Sequence, residues 1–314
     1  MKKFLYLFFI LLSACNQNNP TPPSSQMPIL NVPQKPLWQT LDLDKFLKPR
    51  DISEFTYTGT EIGDKKLYQD TSNTDQYIFS EGMKSEGFLE AYAGTLYHFL
   101  LGKHSSFTQF VFDTSSGTNT IIGASLYEAT YENSWNYHDW DRKPLLAVGS
   151  GLGSIIAASM LLGEYDLKGL ASANSNLGIV TKNGQSYYFK IDHAGSFMFA
   201  SAGYKDWFNL TDLKSPKSDM VYLKELGFDN HPASGIRASR DFTLSQPYLD
   251  EIAQSAKYLA SIPQSEIIKV LDFCEDQLNK LAVYPKKEVL IGATHATYKS
   301  AILERFDILR NALK

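Results

Sequence analysis

Apolar and polar positions change period several times along this chain, and each change predicts an element. Between residues 52 and 80, short alternating runs (Phe55-Thr56-Tyr57-Thr58, Lys66-Leu67-Tyr68 and Gln76-Tyr77-Ile78-Phe79) are parted by Gly63-Asp64 and by the polar stretch Asp70 to Asp75. Alternation bounded by turn residues predicts three strands. Over residues 86 to 101 the period becomes helical: Phe88, Leu89, Tyr92, Leu96, Phe99 and Leu100 share one face, and Gly102 is a natural stop. Phe107 to Phe112 and Thr120 to Glu128 read as two more strands around the turn sequence Ser115-Ser116-Gly117-Thr118-Asn119. Leu145 to Leu162, apolar with many small residues, predicts a buried helix. Leu177 to Val180 and Tyr187 to Ile191 flank Lys182-Asn183-Gly184-Gln185, a hairpin signal. Helical periods follow over residues 246 to 260, 264 to 282 and 296 to 313. The expectation is an α+β, two-lobed domain: a strand-rich N-terminal lobe with one inserted helix, then a mainly helical C-terminal lobe.

The first residues follow a different pattern. Lys2 and Lys3 precede an apolar run from Phe4 to Leu12, and Leu12-Ser13-Ala14-Cys15 closes it. The run is shorter than the about 20 apolar residues that span a bilayer and has the flanks of a secretory h-region. Leu12 to Cys15 resembles the lipobox of bacterial lipoproteins. The resemblance implies cleavage after residue 14 and lipid on the sulfur and freed amine of Cys15, with several acyl chains giving stable anchoring. Asn16, in place of Asp, mildly favours the outer over the inner membrane. Residues 16 to 36 are polar and carry Pro20, Pro22, Pro23, Pro28, Pro33 and Pro36, the composition of a semi-stiff tether. The expected organisation is a signal peptide over 1–14, a lipidated tether over 15–36 and an extracytoplasmic folded domain over 37–314. The lobes of that domain would cover about 37–143 and 144–314.

With 34 acidic and 30 basic residues, two of the latter in the signal segment, the chain lacks a footprint for nucleic acid. Once Cys15 is lipidated only Cys274 is left, which excludes an intramolecular disulfide. Cys274 falls at helical spacing with Leu271 and Leu278 and reads as a buried, inert thiol. The six histidines show no metal-ligand spacing, and no G-x-S-x-G elbow is present. Gly149-Ser150-Gly151-Leu152-Gly153 looks like a phosphate loop but lacks the Lys-Ser/Thr ending, so helix packing or a turn explains it better. Trp135, Tyr137 and Trp140 beside Asp139 and Asp141 read as a packed loop or a ligand rim.

Candidate chemistry lies in three segments: Leu161-Leu162-Gly163-Glu164-Tyr165-Asp166, Ser175-Asn176-Leu177-Gly178, and Tyr188-Phe189-Lys190-Ile191-Asp192-His193-Ala194-Gly195. Phosphoryl transfer needs a carboxylate near the nucleophile and an amide–carboxylate pair to hold a metal on the phosphates. In this order, and with Glu90-Ala91-Tyr92-Ala93-Gly94 as an inserted helix, the segments resemble the atypical kinase-like fold. That fold is shared by phosphatidylinositol kinases, HipA-type toxin kinases and related proteins of intracellular bacteria. The resemblance spans roughly residues 50 to 314. It implies Asp166 as catalytic base, Asn176 and Asp192 as nucleotide- and metal-binding residues, and ATP with Mg as cofactors.

The departures point away from catalysis. Ser80 stands where the family places its nucleotide-binding lysine, with Lys84 and Lys66 as the nearby substitutes. Nine residues separate Asp166 from Asn176 where the catalytic loop of such enzymes has about four, and the usual spacing lands on Ala171. An extracytoplasmic domain also meets little ATP. In isolation Asp166 reads as a solvated loop residue, Asn176 as turn chemistry and Asp192 as a cap. The expectation is a membrane-anchored lipoprotein presenting an inactive kinase-like domain as a binding or interaction module. The alternative is an active ATP-dependent phosphotransferase using Asp166, Asn176 and Asp192.

Overall fold

A computed structural model describes residues 40–62, 65–80, 84–115, 120–133, 149–164, 167, 176–197, 210–216, 246–280 and 298–314. The signal segment, Cys15, the tether, the Trp135 cluster, the boundary near residue 143 and Asp166 lie outside the described residues. No helix among the described residues is long and apolar enough to cross a membrane.

A short helix α1 (Leu43–Phe46) leads into strands β1 (Arg50–Asp51), β2 (Phe55–Ile62), β3 (Lys65–Asp70) and β4 (Gln76–Ser80). Helix α2 (Lys84–Leu101) is followed by β5 (Thr108–Asp113), β6 (Thr120–Leu126) and β7 (Tyr131–Asn133). Then come α3 (Leu152–Leu162), the hairpin β8 (Leu177–Lys182) and β9 (Gln185–Lys190), and helices α4 (Gln246–Ser261), α5 (Gln264–Asn279) and α6 (Tyr298–Ala312). The architecture is therefore mixed α+β, with a strand-rich N-terminal sheet and a helical C-terminal part, as the periodicity predicts.

Six strands form one sheet in the order β1-β5-β6-β4-β3-β2, antiparallel except for the β1–β5 pair. One face carries a small apolar cluster of Phe55, Tyr77, Phe79, Val111, Ile122 and Ala124. The other face is covered by α2, which small residues let approach closely. A Cβ on Gly94 would lie 2.4 Å from the Thr108 hydroxyl, and one on Gly123 would meet the Glu90 side chain at 2.8 Å. Helix α2 thus seats Glu90 directly over the sheet.

The main core runs from α2 through α3 into α4, α5 and α6. Helix α3 is buried along its whole length apart from Ser154, as a helix apolar on all sides must be. It begins at Leu152 and not near Leu145: Gly151 has φ 97°, and Gly149 and Ser150 are not helical. Its far end closes at Gly163 with φ 63°, where the Gly163 N–H reaches the Met160 carbonyl and the Glu164 N–H the Ser159 carbonyl, a left-handed cap. Arg305, buried on α6, donates from Nε to the Leu161 carbonyl at 2.7 Å and from the guanidinium to the Met160 carbonyl at 2.6 Å.

Strands β8 and β9 pair through Asn183 (φ 52°) and Gly184 (φ 73°), the two left-handed residues that a type I′ turn requires. Strand β7, which periodicity does not predict, adds to β8 as a third strand. Cys274 is fully buried on α5, as its spacing predicts.

Candidate functional site

Pairing of Leu177 with Lys190 brings the two ends of the hairpin together, and the Ile191 N–H donates to the Asn176 carbonyl at 3.0 Å. Asn176 therefore flanks the segment that carries Asp192, and the structure joins two of the three residues singled out in the sequence. Asn176 is buried. Asp192 keeps 41% of its side chain exposed, and its carboxylate lies 3.9 Å from the ammonium of Lys65, itself 36% exposed on β3. That cation is neither Lys66 nor Lys84. Ser80 is buried at the end of β4.

The segment from Asp192 to Phe197 is bent at both ends. Asp192 (φ 53°) and Phe197 (φ 65°) are non-glycine residues in the left-handed region, a conformation costing about 1–3 kcal/mol each unless the surroundings impose it. The surroundings do. The Lys190 side chain is wholly buried and donates to the carbonyls of Ile191 at 2.9 Å and Asp192 at 2.5 Å, with Glu164 at 3.3 Å. Glu164 also accepts the Ser196 hydroxyl at 3.0 Å, and the Phe197 N–H donates to the Leu162 carbonyl at 2.8 Å. Burial, together with the charge of Glu164, pushes the Tyr97 hydroxyl well above its ordinary value and keeps it neutral beside this pair.

From the opposite side comes Glu90. One carboxylate oxygen accepts the His193 N–H at 2.5 Å; the other accepts His193 Nδ1–H at 3.1 Å and the Ser125 hydroxyl at 2.8 Å. Burial works against charge on Glu90. The His193 imidazole, its hydrogen bond, and contributions from Lys65 and Ser125 outweigh that and hold the carboxyl below the ordinary range. His193 Nε2 shares a hydrogen bond of 2.9 Å with the Ser105 hydroxyl.

Ser105, His193 and Glu90 thus line up like a nucleophile, base and orienting acid. The chemistry does not follow. Ser105 is 2% exposed, and the Ser105 and Ser106 N–H groups that an oxyanion hole would use are given to the Gly102 and Lys190 carbonyls. The triad is an internal tie between α2, the start of the β5 segment and the Asp192 loop.

The glycine-rich turn before α3 is also filled from within. Glu251 of α4 accepts the Gly151 N–H at 2.7 Å and the Gly153 N–H at 2.9 Å. Burial raises the Glu251 pKa while those two N–H groups oppose the rise. The place that looked like a phosphate loop is the socket of a side chain.

Glu90, Glu164, Lys65, Lys190 and His193 were not among the predicted site residues. A signal existed for Lys190: it follows Tyr188 on the inward face of a strand, where a charge demands a buried partner.

No known protein-family profile matches the chain, and no curated protein matches it. Among solved structures, the crystal structure of a Helicobacter pylori proinflammatory kinase, CtkA, is similar over 85% of this chain and 98% of that chain. The two share 16% identity with a TM-score of 0.43, an overlap that assigns neither family nor activity.

Proposed function

We propose that this chain is a membrane-anchored lipoprotein, lipidated at Cys15, whose kinase-like domain serves as a binding or interaction module and not as a phosphotransferase. The observation that carries this reading is the commitment of the buried charges. Glu90, on the helix laid against the sheet, is held by His193 and Ser125, while Ser80 occupies the strand position of the expected lysine. Lys190 is spent on Glu164 and two carbonyls. Strand β4 itself therefore carries no cation where such chemistry places one, and the described cation beside Asp192 is Lys65 of the neighbouring β3.

What the junction offers is a face for binding. The exposed Asp192 carboxylate beside the Lys65 ammonium suits a metal-bound phosphate compound: the carboxylate for the metal, the ammonium for the phosphate. Mg²⁺ is commonly held by one or two carboxylates and takes its other ligands from phosphate and water, so the exposed Asp192 carboxylate fits that demand. Mg²⁺ there would supply charge neutralisation for the phosphates. The same exposed carboxylate supports the second reading, an ATP-dependent phosphotransferase using Asp166, Asn176 and Asp192.

One assay separates the two. The full chain in detergent is incubated with Mg·ATP and an acceptor mixture, and ADP release and protein phosphorylation are followed. The module reading expects neither; turnover abolished by Asp192→Ala overturns it. The anchor is tested apart: Cys15→Ser should abolish palmitate labelling and leave an uncleaved precursor, and normal labelling in that variant would remove the claim.

A further inference from the structure

Strand β2 is an edge of the six-stranded sheet, and α2, which lies mainly over β5 and β6, leaves the part of its face formed by β2 and β3 open. Register places Thr56 opposite Gln69 and Gln69 opposite Gln76. The three side chains therefore form a row across three strands on that face. With Thr58, Thr71 and Asn73 they line an open cavity of about 420 Å³, a size that small-molecule sites commonly have. Tyr57 and Asp70 also border it, but their side chains serve the other face. The Tyr57 ring lies 5.5 Å from that of Tyr68, and Asp70 holds Arg50.

The lining is fixed at its rim and free along its row. Asp70 is the one charged residue among those described there, and both its oxygens are engaged. One accepts the Ser72 N–H at 2.8 Å and the Ser72 hydroxyl at 2.7 Å; the other accepts the Arg50 guanidinium. The Thr71 hydroxyl donates to the Glu54 carbonyl at 3.0 Å, and the Asp75 N–H to the Asn73 side chain at 2.6 Å, which sets the turn between β3 and β4. The side chains of Thr56, Gln69 and Gln76 bond to no described residue, and Thr56 and Gln69 are exposed.

Free amides and hydroxyls without a free charge give no counter-ion to a phosphate, a carboxylate or an ammonium group. An amide and a hydroxyl each donate and accept, so their complement is a ligand that also does both. A sugar carrying acetamido groups presents that combination around its ring. Edge strands ordinarily carry charge or proline to keep other molecules away, and Thr56-Tyr57-Thr58-Gly59-Thr60 has neither.

The geometry points to a binding site on the β2–β3–β4 face for an uncharged, N-acetylated oligosaccharide. The Gln69 and Gln76 amides meet its acetamido groups, and the Thr56 hydroxyl meets a ring hydroxyl. Gln69 is four residues from Lys65 on β3, about 13 Å at the rise of a strand, so the site is separate from the Asp192 face and does not depend on its reading.

The full chain in detergent is titrated with N-acetylchitotetraose, followed by calorimetry and by saturation transfer to the sugar methyl protons. The wild type should bind with a Kd on the order of 1 mM or below. Gln69→Ala combined with Gln76→Ala should weaken binding at least ~10-fold with an unchanged Tm. Where that pair lowers Tm, Gln69→Glu at the exposed position gives the same comparison, because a carboxylate cannot donate to an acetamido carbonyl. Cellotetraose, which lacks acetamido groups, should bind at least ~10-fold more weakly than the N-acetylated sugar. Mg·ATP, the probe of the Asp192 face, should leave the sugar bound, and so should a peptide of residues 16–36, rich in the same amides and hydroxyls. A wild type that does not bind, wild-type affinity in the Gln variants, equal affinity for cellotetraose, or displacement by either competitor overturns the assignment.

Discussion

Removing the Glu251 carboxylate tests whether the glycine-rich turn before α3 is a side-chain socket. Its two oxygens take the Gly151 and Gly153 N–H groups, which sit at the start of a helix and have no other way to be satisfied once buried. A buried donor left without an acceptor costs about 1–3 kcal/mol. Glu251→Gln keeps one oxygen and turns an NH₂ toward the other donor, so about 2 kcal/mol should be lost. Glu251→Ala strands both donors and should lose about 4 kcal/mol. For a domain of this size each kcal/mol corresponds to about 2–4 °C, hence falls in Tm of about 4–8 °C and 8–16 °C. Urea and thermal denaturation at pH 7, followed by circular dichroism, read both values. There is also a pH signature. Because burial raises the folded-state pKa of Glu251, the folded chain holds this proton more tightly than the unfolded one. Stability from this group is greatest below the unfolded carboxylate pKa and falls as pH rises through the folded value. Glu251→Gln has no such slope. A Gln variant within ~0.5 kcal/mol of wild type, or one with the same pH slope, would refute the socket.

Three further outcomes follow from other buried groups. Lys190→Met leaves Glu164 without its cation and should cost about 3–5 kcal/mol in urea denaturation, partly recovered by adding Glu164→Gln; a loss under ~1 kcal/mol would contradict the pairing. Burial depresses His104 to about 4, against the hydrogen bond to the Tyr188 carbonyl. The unfolded chain therefore takes up this proton first as pH falls below about 6.5, and stability drops between about 6.5 and 4. At pH 5 the wild type should have lost roughly 2 kcal/mol more than His104→Gln relative to pH 7, and parallel profiles would count against it. Cys274 is fully buried, and burial with the nearby Glu275 pushes its thiol well above the usual value. A thiol reagent should label it only across the unfolding transition, and rapid labelling of the native chain would show the helix packing to be wrong.

The fold was legible wherever burial is one-sided. Strands β3 and β4 declare themselves by alternation, with Leu67, Tyr77 and Phe79 buried beside partly exposed neighbours; β2 buries only Phe55, and α2, buried nearly all round, shows its stripe through the spacing of its large apolar side chains. The Asn183-Gly184 turn was legible for a local reason: a two-residue hairpin needs positive φ twice. In α3 the apolar run is continuous and marks no start, so the stretch from Leu145 overstates a helix that begins at Leu152. Residues from Leu145 onward are as apolar as the helix itself, and only the Gly151 conformation and the Glu251 contact define its start. Strands β1 and β7, two and three residues long, are too short to display any period and exist because a longer neighbour offers free edge groups.

The candidate site divides along the same line. Asn176 and Asp192 could be picked out because hairpin geometry, a local property, brings the two strand ends together. Their supports come from far away in sequence: Glu90 and His193 are separated by 103 positions, and Gly151 and Glu251 by 100. No window of sequence holds both members of such a pair. What a sequence does hold is the anomaly each one creates, a charge on a face that should be apolar. Glu90 lies on a helix that is buried nearly all round, Lys190 shares its face of β9 with the buried Tyr188, and Glu164 follows α3, a helix without a charge. Each of these charges is costly to bury and is kept only because a partner meets it. Two of the three, Glu90 and Lys190, end on the peptide unit between Asp192 and His193, and Glu164 pairs with Lys190. The three buried charges are thus mutually dependent, and the cost of burying them is met by holding one loop, residues 192 to 197, against α2, β9 and the end of α3.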